Sequence, residues 1–252
     1  MIRVANAPVS YGAFEVTVGV LPNVPVPERV LDAIAAAGYE GTELGPPGYL
    51  GRGAELRERL ESRGLALAGA FVELRFGDGD LSALDQTLEL IDGYDAKAVL
   101  ADKGPRDGEV DLDGVTRATE FARERGFEPT FHPHLGTRVQ TPAEIERLLD
   151  GTDVPLLLDT GHLTAAGGDA VAGLRDWRER INHVHLKDVH GDAFCELGTG
   201  DVDLRGFLAE LDGYSGWLVV EQDWVPAPGE DAAEQIEAQV RNRRWIAENA
   251  GF

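Results

Sequence analysis

The sequence predicts an α/β protein, a single (β/α)8 barrel over residues 1–252. Three observations carry this reading. Short β-type runs alternate with amphipathic segments eight times, several amphipathic segments stop at a glycine, and late runs such as VPLLLD and WLVVEQD are apolar on both faces. Strands that alternate with helices imply a parallel sheet, and strands apolar on both faces suit burial between two layers. Eight such units close most simply as a barrel. A doubly wound open sheet is the runner-up, but the first strand–helix turn has no GxGxxG phosphate loop.

The units run in order with little chain left over. RVANAPVS (3–10) precedes a helical pattern at 27–38, GTELG (41–45) one at 54–64, and LALAGAFVEL (65–74) one at 81–94. AKAVLAD (96–102) leads into 112–126, and EPTFHPH (128–134) into 142–151. VPLLLDTGH (154–162) precedes 169–181, NHVHLKDV (182–189) precedes 204–214, and GWLVVEQD (216–223) precedes 234–251. Gly38, Gly64 and Gly126 stand where a helix should stop before the next strand.

Composition narrows the function classes. With 43% hydrophobic and 27% charged residues, the chain suits a water-soluble fold with a sizeable core. No window approaches the roughly 18 apolar residues of a membrane span, and MIRVANAPVS lacks the pattern of a secretion signal. Cys195 is the only cysteine, which excludes an intrachain disulfide and a Cys-rich zinc site. A cytoplasmic location is expected. The net charge is −22, and lysine occurs only at positions 97, 103 and 187. Such a surface repels nucleic acid and anionic membranes, whose binding rests on Lys and Arg. Acidic, lysine-poor surfaces suit a salt-rich cytoplasm, where molar salt screens self-repulsion. A high-salt organism is therefore expected.

In a barrel of this kind the active site lies at the C-terminal strand ends. Strand 1 ends with Asn6, Ser10 and Tyr11, strand 2 with Glu43, strand 3 with Glu73, and strand 4 with Asp102 and Lys103. Strand 5 brings His132 and His134, and strand 6 brings Asp159 and His162. Strand 7 brings His183, His185, Lys187 and Asp188, and strand 8 brings Glu221 and Asp223. Five of the six histidines thus fall on three consecutive strand ends. A His/Asp/Glu set without Cys suits Mn²⁺, Co²⁺, Zn²⁺ or Mg²⁺. A metal-free acid/base pocket is the alternative.

The segments LLLDTGH (156–162), HVHLKD (183–188) and VVEQD (219–223) resemble the xylose-isomerase-like family of sugar isomerases, epimerases and dehydratases. NAPVSYG (6–12), GTELGPPGYLG (41–51), HPHLGT (132–137), LDTGHLTAAGGD (158–169) and the run at 198–223 are closer still to inosose dehydratases. The resemblance spans strands 1 to 8, and residues 75–125 add no motif to it. It implies a TIM barrel with one divalent ion on strands 5 to 8, usually held by Glu, Asp, His and Glu. By motif these become His132, Asp159, His185 and Glu221, with His132 replacing the usual Glu. Either His134 or neither histidine could serve at that first position instead. Mn²⁺ or Co²⁺ stands ahead of Mg²⁺ or Zn²⁺.

The implied activity is a metal-dependent dehydratase acting on 2-keto-myo-inositol or a similar keto-polyol through a stabilised enolate. The alternative is a sugar isomerase or epimerase on the same metal site. His134 and His162 are the acid and base candidates in either order, with Glu43 in reserve. Asn6, Glu43, His134, His162 and Lys187 are the candidate substrate contacts, although Asn6 could equally brace strand 1. The partner expected is a small polyol or keto-sugar, with no nucleic acid and no membrane; a homo-oligomer is allowed for. An abasic-site nuclease shares the barrel, but the charge of −22 argues against that activity. A non-catalytic sugar-binding barrel would not need so complete a set of ionisable strand ends.

Overall fold

The structure, a computed structural model, describes residues 1–227 and 229–251. Eight parallel strands close into a barrel: β1 (Ile2–Asn6), β2 (Gly41–Glu43), β3 (Ala66–Leu74), β4 (Lys97–Asp102), β5 (Pro129–Phe131), β6 (Leu156–Asp159), β7 (Ile181–Leu186) and β10 (Gly216–Val220). β1 pairs with both β2 and β10, so the sheet has no free edge. A two-stranded antiparallel hairpin, β8 (Asp188–His190) and β9 (Ala193–Cys195), rises directly after β7.

The helices cover the barrel, most of them with one apolar stripe, while α9 buries Gln235, Gln239 and Asn242 beside Ala238 and Ile246. α1 (Pro27–Ala36) starts on a proline, whose missing N–H is no loss in a first turn, and buries Val30, Leu31 and Ile34. α2 (Gly53–Glu61), α3 (Ser82–Leu90) and α4 (Leu112–Glu124) follow β2, β3 and β4. α5 (Pro142–Gly151) opens with a reciprocal capping box between Thr141 and Glu144 and buries Ile145, Leu148 and Leu149. α6 (Thr160–Ala165) and α7 (Ala170–Asp176) follow β6, α8 (Leu204–Ala209) follows the hairpin, and α9 (Ala233–Asn249) closes the ring. Gly38, Gly64 and Gly126 take positive φ after α1, α2 and α4, as their positions predicted. Among the described residues no helix is long and apolar enough to cross a membrane.

Six strands end earlier than their sequence patterns suggest, and the stops of β1, β5 and β6 shape the mouth. β1 stops at Asn6, because Pro8 has no N–H for the ladder and the chain turns into a 3-10 segment at Pro8–Tyr11. β5 stops at Phe131, leaving His132–His134 as a loop around Pro133. β6 stops at Asp159, whose side chain caps α6 by accepting from the His162 backbone N–H at 2.8 Å.

Candidate metal centre and active site

The mouth of the barrel is built where these strands stop. His132, one residue past β5, is pinned by its backbone N–H donating to Leu100 O of β4 at 2.8 Å. Its ring stands 4.9 Å from that of His185 on β7 and 5.5 Å from that of His162. In DTGH each residue has its own task. Asp159 caps α6, and Thr160 Oγ1 donates to Lys187 O (2.6 Å) while accepting from Lys187 N (2.9 Å), which ties α6 to β7. Gly161 leaves room for the incoming lysine, since a Cβ there would lie 2.6 Å from Lys187 Cβ.

The first three predicted ligands converge. His132, Asp159 and His185 each offer a donor atom within 4.8 Å of the others. His132 Nε2 lies 3.4 Å from Asp159 Oδ2, and that oxygen lies 3.6 Å from His185 Nδ1. Glu221, just past β10, joins on the His185 side, with Oε2 3.0 Å from His185 Nδ1. Donors bound to one ion at 2.0–2.2 Å stand roughly 2.8–3.6 Å apart. Both His132 nitrogens, Asp159 Oδ2 and His185 Nδ1 are buried without a hydrogen-bond partner. They face one another without bonding, which is how a ligand set for a cation is arranged.

The charge balance points the same way. Asp159, Glu221 and Glu43 are 3%, 5% and 4% exposed, and Lys187 is 2% exposed. The Lys187 ammonium reaches Glu221 (2.9 Å), Asp223 (3.1 Å) and Asp159 (3.3 Å), so one cation serves three carboxylates. Buried charges persist only when paired, and a divalent ion bound here would add to that balance. Burial holds the His132 pKa down to about 4, against an opposing pull from Asp159. His132 is therefore a neutral imidazole at pH 7, the form that binds metal. Burial alone would lower His185 too, but Glu221 and Glu43 outweigh it and hold it well above the usual value.

The proton-handling groups differ in what their nitrogens already do. His134 Nδ1 lies 2.9 Å from Leu135 O, and a carbonyl only accepts, so Nδ1 carries a proton and the lone pair of the neutral ring is on Nε2. His162 Nε2 lies 3.2 Å from the Lys187 ammonium and accepts from it. Burial and the adjacent Lys187 hold the His162 pKa well below its usual value. Burial also raises Asp223, with help from Glu221 and Asp159 and against Lys187, whereas Asp159 is held well below its ordinary value because Lys187 and His162 overcome its burial.

Not every expected residue reaches this site. Asn6 does not; it is fully buried and turns away from the mouth. Its Nδ2 donates to Val220 O (2.8 Å) and to Gln239 Oε1 of α9 (3.1 Å), so it braces β1 against the outer helix. Glu43 does line the cavity, with Oε1 2.8 Å from His183 Nε2 and 3.1 Å from His185 Nε2. His162 stands behind Lys187 and outside the cavity lining. Conversely, Asp223 and the Asp102–Arg138 pair hold larger parts than their sequence positions suggested. Asp223 follows Glu221 by two residues, which was the available signal; the partner of Asp102 comes from a different loop and left none.

Above the converging donors opens a cavity of about 320 Å³. Its polar wall includes His132, His134, His185, Lys187, Glu221 and Asp223, and its apolar wall includes Val9, Phe14, Val16 and Phe71. The volume falls in the range of small-ligand sites.

The family model described as xylose isomerase-like TIM barrel matches residues 31–242. The chain belongs to that family. Within it the chain is inosose dehydratase-like. It is 31% identical to an inosose dehydratase of Erwinia tasmaniensis, over 89% of this chain and 90% of the relative. It is 31% identical to one of Bacillus velezensis, over 87% of each. Among solved structures, a probable 3-DHS dehydratase from Bacillus anthracis superposes with a TM-score of 0.77 at 14% identity, covering 99% of both chains. The IOLI protein with a bound zinc atom gives 0.75 at 16% identity, covering 99% of this chain and 100% of that one. At such identities these two structural likenesses speak for the shared xylose isomerase-like barrel alone.

Proposed function

We propose that the chain is a metal-dependent carbon–oxygen lyase that removes water from 2-keto-myo-inositol or a similar keto-polyol. The observation that carries the reading is the set of unpartnered donors on His132, Asp159 and His185, of which both histidines line a cavity walled also by His134, Lys187 and Asp223. The inosose dehydratase relatives support the same reaction class. His132, Asp159, His185 and Glu221 are the ligands of this proposal. Their mixed imidazole and carboxylate set favours Mn²⁺ or Co²⁺ over Mg²⁺ or Zn²⁺. When bound, such an ion supplies Lewis-acid polarisation of the substrate carbonyl, worth several kcal/mol toward an enolate.

The remaining steps belong to the chain's own groups. His134, with its Nδ1 proton committed to Leu135 O, uses the Nε2 lone pair to take the proton from the carbon beside the carbonyl. The electron pair left behind expels the β-hydroxyl. Asp223, a cavity-wall carboxyl whose pKa burial raises against the pull of Lys187, is the group that gives a proton to the departing oxygen, so that water leaves. Lys187 is a fixed positive charge beside the developing enolate, and His162 holds it in place by accepting one of its N–H bonds. A cytoplasmic role in a high-salt organism goes with this reading, on the strength of the −22 charge.

The test is a product assay on 2-keto-myo-inositol. Growth of the ultraviolet absorbance of a dione, with loss of water, is the expected result. An isomeric keto-polyol of unchanged mass would transfer the assignment to an epimerase on the same metal site.

A further inference from the structure

Beneath the metal ligands lies a second polar group that the reaction above does not use. We infer that Glu43, tethered by His183, is a positioning residue that fixes the tautomer and orientation of His185, so that Nδ1 is the nitrogen presented to the metal. The inference rests on the metal reading given above.

The backbone is shaped to put Glu43 there. The β2–β3 register slips between Thr42 and Glu43, so that Glu43 faces Gly69 rather than the next residue in regular pairing. Bulges of this kind re-aim a side chain. Gly69 completes the arrangement, since a Cβ at that position would lie 2.9 Å from Glu43 Oε1. The carboxylate then accepts from two rings with one oxygen, His183 Nε2 at 2.8 Å and His185 Nε2 at 3.1 Å. A carboxylate oxygen only accepts, so both Nε2 atoms carry protons.

That assignment decides the other side of His185. Its Nδ1 is the nitrogen that faces Glu221 Oε2 and Asp159 Oδ2, and it has no hydrogen-bond partner. Metal-binding histidines generally donate their second N–H to a carboxylate or carbonyl, which sets the ring and raises its basicity. His183 does not reach the cavity: it is fully buried, and its one hydrogen bond goes to Glu43. Its place is explained as a second tether that stops the carboxylate from swinging.

The test titrates metal-stripped protein with Mn²⁺ by calorimetry, for wild type, Glu43→Gln and His183→Asn. Both variants are expected to bind Mn²⁺ more weakly, Glu43→Gln by about 10–100-fold and His183→Asn by less. Turnover of Glu43→Gln should return to within about tenfold of wild type once Mn²⁺ is saturating. In a Zn²⁺-loaded wild type, long-range histidine ¹H–¹⁵N spectra should give His185 a protonated Nε2 and a metal-shifted Nδ1. Unchanged Mn²⁺ affinity in Glu43→Gln, or metal on Nε2, overturns the inference while the metal site stands. A flat wild-type titration instead overturns the metal reading on which it rests.

Discussion

Replacing Arg138 by Met should destabilise the protein by about 3 kcal/mol, and the structure gives the reason. Asp102, at the end of β4, has a side chain with no exposed surface, while that of Arg138 is 16% exposed. The guanidinium grips it twice, Nε to Oδ2 at 2.8 Å and Nη2 to Oδ1 at 2.6 Å. Gly104 N and Arg138 N, at 3.1 and 3.4 Å, are the carboxylate's other donors. Removing one partner of a buried ion pair costs about 3–5 kcal/mol. The two remaining backbone donors and the partial exposure of Arg138 place this case near the lower end. For a chain of this size, 3 kcal/mol lowers Tm by roughly 6–12 °C. The loop that Arg138 anchors also carries His134, whose N–H donates to Val139 O at 3.0 Å, so KM should rise along with the loss of stability. Urea unfolding measures the first effect and steady-state kinetics the second. Adding Asp102→Asn to Arg138→Met should restore at least about 1 kcal/mol, because the stranded charge disappears. A cost below about 1 kcal/mol for the single variant, or simple additivity in the double, would refute the reasoning.

Glu144 gives a prediction with a pH signature. Burial would raise its pKa, but the backbone N–H groups of Thr141 and Gln140 and the Arg106 side chain hold it at about 2, below its ordinary 4.5. A carboxyl lowered by folding contributes its full stability above the unfolded value and loses it as pH falls through the folded one. Glu144→Ala should therefore cost about 1–2 kcal/mol at pH 7 in urea unfolding, and the difference from wild type should shrink between about pH 4.5 and pH 2. Gly161→Ala pushes a methyl group to within 2.6 Å of Lys187 Cβ and 3.0 Å of Phe194 Cε1. It should cost about 1–3 kcal/mol in thermal melts and lower kcat by displacing Lys187, with Mn²⁺ affinity less affected. The acidic surface predicts higher Tm in molar KCl than in dilute buffer, and equal values would remove the argument for a high-salt origin.

The barrel was legible because its signals are local. Alternating apolar runs, helix-stopping glycines and two-sided apolar strands all lie within a few neighbouring residues. The gathering of ionisable side chains at the mouth followed from one rule, that barrel strands deliver their chemistry at their C-terminal ends, whereas the choice of His132, Asp159, His185 and Glu221 among them came from the family resemblance. What stayed hidden depends on distance in space or on the face of a strand. Asn6 sits on a strand buried on both sides, so nothing in its sequence tells the mouth from the α9 side, where Gln239 receives it. The early end of β6 was hidden because the N-cap role of Asp159 shows only when His162 N is found on its side chain. The hairpin after β7 and the lysine shared by Asp159, Glu221 and Asp223 likewise join residues from separate elements.

Metal dependence of turnover tests the central claim most directly. Protein stripped with a chelator is assayed on 2-keto-myo-inositol by ultraviolet absorbance, before and after Mn²⁺ is restored, beside Asp159→Asn treated in the same way. The account predicts no turnover in stripped protein, recovery with Mn²⁺, and neither Mn²⁺ binding nor turnover in Asp159→Asn. Full activity in the stripped protein, or an Asp159→Asn variant that still turns over, would contradict it.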